Sequence, residues 1–359
     1  MADEVPGKVT ERRKNQHVEI CASEDLTQHY VYWDDVKLVH NPLPEIDLEE
    51  IDTTTKMFGQ TLKAPIVISA MTGGYGKAEE INRNLASVAE EFGIGMGVGS
   101  QRAALENPEL ARTYSVIKGF EIPLRIANLG VPQLVKQGDK DPLDIGDGKA
   151  AMQMVDAHVL AIHMNYLQEV VQPEGDTMSR GGFRALERFA SALPVIAKET
   201  GAGIPREVAL RLKKAKVKGL DVGGLGGTSF SAVEYYRAKA AGDKTRANIG
   251  QTFWDWGIPT PVAVVVANVG LPIIATGGLR SGLDVARAIC IGAGCAGMAG
   301  RLLPAALEGK ETLSVELRTI IDELKAAMFL VGAKDMKELA GAKALIVGRS
   351  KEWLDQLAE

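Results

Sequence analysis

Beyond residue 64 the chain settles into a two-part rhythm. Short apolar runs at 65–71, 94–98, 124–127, 159–163, 195–198, 220–222, 272–275 and 295–299 are too brief for helices and carry no polar alternation. That is the pattern of strands buried on both faces. Between them lie stretches with helical spacing. Ala78–Phe92 puts Ile81, Leu85, Val88, Ala89 and Phe92 on one face, and 108–118, 205–215, 261–269 and 283–291 behave alike. Eight strands separated by helices predict a parallel sheet closed into a (β/α)8 TIM barrel, with extra helices at the C-terminal end.

Before residue 64 the pattern differs. Residues 29–40 alternate aromatic and β-branched residues around Asp34-Asp35, which predicts a hairpin, and 56–62 predicts one more short strand. Together they form a β extension that closes the bottom of the barrel. Residues 1–28 are charged and polar, the pattern of a solvated tail, and 138–148 is acidic and turn-rich, the pattern of a loop. The division is therefore 1–63 for the N-terminal extension and 64–359 for the barrel, with no internal boundary.

Composition narrows the class. Hydrophobic residues make up 46% and charged residues 24%, ordinary for a soluble globular protein. A net charge of -5 argues against a nucleic-acid surface, so any anionic ligand must be held by local cations. The polar start MADEVPGKVTERRKNQ has no signal-peptide pattern. The longest apolar run, 262–275, contains Asn268 and Pro272 and is too short to span a bilayer, so a cytoplasmic protein is expected. Cys21, Cys290 and Cys295 give no disulfide framework or zinc spacing and read as reduced thiols, those of Cys290 and Cys295 buried.

In such a barrel, chemistry gathers at the C-terminal ends of the strands. Those ends read Met71-Thr72, Ser100-Gln101-Arg102, Asn128, His163 with Asn165, Gln168 and Glu169, then Lys198, Thr228, Gly278-Leu279-Arg280 and Ala299-Gly300. Polar and charged groups thus close otherwise apolar runs. The turns at 276–282 and 299–301 each follow a strand and precede a helix. Glycines there let backbone N–H groups approach an anion, and two such turns late in the chain match the phosphate site after strands seven and eight. Lys198 ends its run, so its amine projects into the barrel mouth, suited to a Schiff base or to a fixed charge beside an anionic ring. Glu169 is the candidate Mg²⁺ ligand. Gln168 cannot titrate and is given an orienting role. Plainer readings exist for single members: Asn128 as a turn former, Thr228 as a helix cap, Lys198 as a rim ion pair and His163 as a hydrogen-bond post.

One family carries these pieces in this order: Arg13-Lys14-x-x-His17, Ala70-Met71-Thr72-Gly73-Gly74, Gly99-Ser100-Gln101-Arg102, Asn128-Leu129-Gly130, His163-x-Asn165-x-x-Gln168-Glu169, Lys198-Glu199-x-Gly201-x-Gly203, Asp221-Val222-x-Gly224-x-Gly226-Gly227-Thr228, Trp256-Gly257-Ile258-Pro259-Thr260 and Gly277-Gly278-x-Arg280-Ser281-Gly282. From about Arg13 to the last helices the chain resembles the type 2, FMN-dependent isopentenyl-diphosphate isomerases. The resemblance implies interconversion of isopentenyl and dimethylallyl diphosphate in isoprenoid biosynthesis, with reduced FMN, Mg²⁺ and NADPH as reductant. It also implies a homotetramer or homo-octamer, with a small allylic or homoallylic diphosphate as partner and neither nucleic acid nor membrane.

By the same resemblance FMN is held by Ser69, Ala70, Met71, Thr72, Ser100, Asn128, Lys198, Thr228, Gly278, Leu279, Arg280, Ala299 and Gly300. The diphosphate meets Arg13, Lys14, Ser100, Gln101, Arg102 and Gln168, and Glu169 holds the metal. The basic N-terminal run then becomes a lid over the substrate instead of a free tail. Catalytic positions are Lys198, Gln168, His163 and Asn165, with the flavin as the proton carrier.

Rivals on the same scaffold make different demands. A 2-hydroxy-acid oxidase wants a histidine base near the flavin, and 223–231 offers none. An IMP-dehydrogenase-like enzyme needs a cysteine after strand six, where this chain has none. A non-catalytic phospho-ligand sensor would keep the barrel without turnover.

Overall fold

The charged N-terminal segment is a helix, α1 (Pro6–Ser23), and not a tail. The structure, a computed structural model, describes residues 6–357, with side chains from residue 11. The outermost ends of the 1–63 and 64–359 units lie outside the described residues. Helical spacing was hidden in α1 because polar residues share its inward face with Val18, Ile20 and Cys21: it lies over the helix Phe230–Ala240, with His17 reaching Glu234 at 2.8 Å and Gln16 accepting from Arg237 at 3.2 Å.

No hairpin forms over 29–40. Tyr32–Asp35 is a single 3-10 turn, and the following strand β1 (Val36–Leu38) pairs antiparallel with Ala344–Ile346 near the C-terminus. Asp35 explains the difference. Its buried carboxylate accepts the Ser350 N–H at 2.9 Å and the Tyr30 hydroxyl at 2.7 Å, so its partner is the last helix, Gly348–Leu357. The hairpin instead occupies β2 (Thr55–Met57) and β3 (Gln60–Leu62), where a single strand was expected. Phe58-Gly59 splits that run with φ of 50° and 81°, the signature of a two-residue hairpin turn. Met57, Leu62 and Phe58 pack among Val67, Leu124, Ile126 and Ile274 inside the barrel. A Cβ on Gly219, at the start of its strand, would fall 2.5 Å from the Phe58 ring, so the hairpin plugs the strand-start end.

The barrel follows as read. Its strands are β4 (Ile66–Ile68), β5 (Gly95–Gly97), β6 (Leu124–Gly130), β7 (Val159–Met164), β8 (Val195–Glu199), β9 (Gly219–Asp221), β10 (Ile273–Thr276) and β11 (Cys295–Met298). All are parallel, and β11 closes on β4 through Ala296 opposite Ile66. Cys295 lies within the interior cluster and is fully buried, which pushes its thiol pKa up.

Helices cover the outside. Ala78–Phe92 buries Ile81, Leu85, Val88 and Ala89 and ends at Gly93 in the left-handed conformation. The segment 108–118 is helical in three consecutive pieces, and a short helix, Arg102–Glu106, precedes it where only a turn was expected. The expected loop at 138–148 is cut short by a helix, Ile145–Met154. Asp144 accepts the Asp147 N–H at 3.1 Å and Asp147 accepts the Asp144 N–H at 2.8 Å, so the acidic residues form a capping box. At the C-terminal end Lys310–Val331 packs on Gly282–Cys290. The fit is close: a Cβ on Gly282 would sit 2.0 Å from the Ile320 carbonyl.

Candidate functional site

Strand register sets one level at the mouth of the barrel. Gly130 lies beside His163, His163 beside Lys198, and Lys198 beside Asp221. His163 Nδ1 meets Asn128 Oδ1 at 2.9 Å, while Asn128 Nδ2 donates to the Val98 carbonyl at 3.0 Å. That direction makes Nδ1 the protonated nitrogen of His163. Burial, reinforced by Lys198, Arg102 and Lys14, lowers its pKa to about 3, so the ring is neutral at physiological pH. Asn128 is no turn former; it sits within β6 and fixes the imidazole.

Lys198 donates to Asp221 Oδ2 at 2.9 Å and to the Glu199 carbonyl at 3.3 Å. An ammonium paired with a carboxylate is a fixed positive charge and not a Schiff-base nucleophile. Asp221 was not singled out as a functional residue, because a strand-end aspartate gains its role only from the neighbouring strand. Its Oδ1 is buried without a hydrogen bond, as is Thr72 Oγ1 nearer the opening strand.

The glycine turn after β10 is held by backbone packing. Gly278 has φ of 73°, and a Cβ there would lie 2.3 Å from the Gly226 carbonyl. The turns after β9 and β10 thus stack backbone on backbone, which only glycine allows. Ser281 then caps the helix Gly282–Cys290 by accepting the Asp284 N–H, leaving that helix N-terminus behind the turn. Arg280 is held by Asp284 at 2.9 Å and Asp34 at 2.7 Å, which raises its pKa further. Its guanidinium therefore frames the turn, tied to two carboxylates. Thr228 is not the cap of the next helix; Ser229 is, leaving the Thr228 hydroxyl at the cavity.

The mouth also gathers arginines near Glu169. Arg102 pairs with Asp176 at 2.7 Å, and Gln133 donates to the same carboxylate oxygen at 3.1 Å. Burial and then Arg102 lower the Arg13 pKa, and Arg13 Nε is buried without a hydrogen bond. A buried guanidinium beside a second cation favours an anion between them. Glu169 stands beside them. Asn165 Nδ2 donates to its Oε1 at 3.0 Å and the Asp176 N–H to its Oε2 at 2.8 Å, while burial raises its pKa. Asn165 Oδ1 is buried and unpartnered. Among the described residues no group of three or more His, Cys, Asp or Glu side chains could hold a metal by itself. One carboxylate and one amide oxygen fit Mg²⁺ only if a phosphate supplies further oxygens. Asp176 and Gln133 lacked any sequence signal, since both lie in loops after the strands.

Every residue expected to carry function borders one cavity of about 620 Å³, except Gln101. Gln101 is fully buried behind the wall. Its Nε2 donates to the Ala151 carbonyl at 2.8 Å and its Oε1 accepts the Asn128 N–H at 2.9 Å, so it braces β6 and does not reach a substrate. The cavity fits a flavin nucleotide at its Lys198 end: a fixed cation, an unpartnered buried hydroxyl on Thr72, and a glycine turn backed by a helix N-terminus.

Residues 11–113 and 259–346 match the FMN-dependent dehydrogenase family. A protein of Archaeoglobus fulgidus named isopentenyl-diphosphate delta-isomerase is 47% identical over 349 residues, covering 96% of this chain and 99% of its own. One of Thermoplasma volcanium with the same name is 46% identical over 345 residues, with 96% and 99% covered. Among solved structures, a lactate oxidase of Pediococcus acidilactici matches with a TM-score of 0.61 at 17% identity, covering 95% of this chain and 93% of that one. A flavocytochrome b2 mutant with pyruvate bound matches with a TM-score of 0.61 at 16% identity, covering 94% and 84%. At those identities the two structures establish the barrel fold alone.

Proposed function

The chain belongs to the FMN-dependent isopentenyl-diphosphate delta-isomerase family, and on that premise we propose how its cavity is divided. The enzyme interconverts isopentenyl and dimethylallyl diphosphate. When bound and reduced, FMN supplies the group that adds a proton at one end of the allylic unit and accepts one from the other. The phosphate of FMN would lie at the Gly278-Leu279-Arg280 and Ala299-Gly300 turns. Its ring would face Ser69, Ala70, Met71, Thr72, Ser100, Asn128 and Thr228, with Lys198 balancing negative charge on the ring.

Arg13 and Arg102 would bind the diphosphate with Ser100 and Gln168, and Glu169 would hold Mg²⁺ against it. His163, neutral and fixed by Asn128, offers a hydrogen-bond acceptor and no proton at physiological pH. Asn165 orients Gln168, whose Oε1 accepts its amide at 3.1 Å. The observation that supports this division is a grouping of charge around one cavity: Arg13 has Arg102 and Glu169 as charged neighbours, while Lys198 is paired with Asp221. NADPH as reductant, assembly into tetramers or octamers and a cytoplasmic setting complete the reading.

The test is direct. Purified protein reconstituted with FMN and reduced should convert isopentenyl diphosphate, and chelating Mg²⁺ should abolish turnover. Glu169→Gln should lower kcat/KM by at least about a hundredfold without loss of FMN. Full turnover in the variant, or without Mg²⁺, would remove Glu169 from the metal. The oxidase alternative wants a basic histidine: the pKa of His163, lowered to about 3 by burial, makes it a weak base, and His17 is tied to Glu234.

A further inference from the structure

Gly73-Gly74, after β4, reads as a glycine turn, yet the turns suited to phosphate follow β10 and β11. Both glycines lie at positive φ, 148° and 83°. What crowds them is another part of the chain. A Cβ on Gly73 would fall 2.0 Å from the Tyr114 ring. One on Gly74 would fall 2.7 Å from the Tyr114 hydroxyl and 2.9 Å from Lys14 Nζ.

The Lys14 amine, carried in by α1, is fully engaged there. It donates to the Gly73 carbonyl at 2.7 Å, the Ser100 carbonyl at 2.6 Å and the Tyr114 hydroxyl at 2.5 Å. These three contacts match the three donors of a lysine ammonium. Tyr114, fully buried, donates its own hydroxyl hydrogen bond to the Ser100 carbonyl at 2.6 Å. Burial, with Arg13 and Arg102 close by, draws the Lys14 pKa well down, and burial raises that of Tyr114. By contrast Arg13, one residue earlier, keeps its buried Nε without a partner.

We propose that Gly73, Gly74, Ser100 and Tyr114 form a socket for Lys14, and that Tyr114 is a positioning residue. Through Lys14 it sets where α1 holds Arg13 over the diphosphate. Lys14 is then the pin of the lid. This rests on the reading of α1 as the substrate cover.

Steady-state kinetics with reduced FMN, Mg²⁺ and isopentenyl diphosphate test it, using Tyr114→Phe, Lys14→Met, their double variant and Arg13→Met. Tryptic cleavage after Arg12 and Arg13, followed by mass spectrometry, reports the lid separately. Tyr114→Phe keeps the ring and removes one of three acceptors. It should raise KM about fivefold with kcat within about twofold, leave FMN affinity unchanged, and speed cleavage. Lys14→Met, which leaves Tyr114 in place, should speed cleavage likewise, and the double variant should be no worse than Lys14→Met alone. Wild-type KM and cleavage in Tyr114→Phe would overturn the socket, as would two independent, additive effects. An unchanged KM in Arg13→Met would instead overturn the substrate reading, and the cleavage rates would still decide the socket.

Discussion

Lys198 and Asp221 are both nearly buried, and each is the other's charge partner. Removing one half leaves an uncompensated charge in a poor solvent. Asp221→Asn should therefore destabilise the fold by about 3–5 kcal/mol in urea denaturation, and Lys198→Met with Asp221→Leu should recover much of it. Glu199 behaves differently. Its carboxylate accepts four backbone N–H groups, from Thr200 to Gly203, but burial dominates and raises its pKa to about 7 from 4.5. The folded state thus holds a proton that the unfolded chain has released. Its contribution is complete below about 4.5 and is lost as pH rises to about 7. Denaturation midpoints of Glu199→Gln should lack that decline. Lys198 and Glu169 were legible in the sequence because each ends an apolar run or follows a strand end. Asp221, Asp176 and Tyr114 were not picked out, because their roles come from partners far away in the chain.

At the level of elements, the barrel strands and the helix Ala78–Phe92 were legible because each has a period the chain displays locally. The helix α1 was not, since its inward face interrupts Val18, Ile20 and Cys21 with Lys14 and His17, and polar groups buried by hydrogen bonds break up the hydrophobic stripe. The 29–40 segment failed for a similar reason: its strand partner is in the C-terminal segment. Turns carry their own test. Gly278→Ala places a methyl 2.3 Å from the Gly226 carbonyl at a φ of 73°, so it should part the turns after β9 and β10. The expected result is a loss of several kcal/mol, on the order of other strained-backbone substitutions, together with weaker FMN binding by fluorescence titration.

Across the whole molecule, the two ends of the chain are joined by β1, the Ala344–Ile346 strand and Asp35. Asp35→Ala would strand the Ser350 N–H and the Tyr30 hydroxyl, at a cost of about 2–3 kcal/mol. Hydrogen exchange should quicken across Gly348–Leu357 while the barrel strands stay protected. No helix among the described residues is long and apolar enough to cross a membrane.

The β2–β3 plug has a further effect on traffic. With Phe58 and Met57 filling one end, flavin and diphosphate would enter by the mouth over which α1 lies. Whatever sits deepest must arrive first and leave last, so flavin should load before the diphosphate, and saturating diphosphate should slow flavin departure.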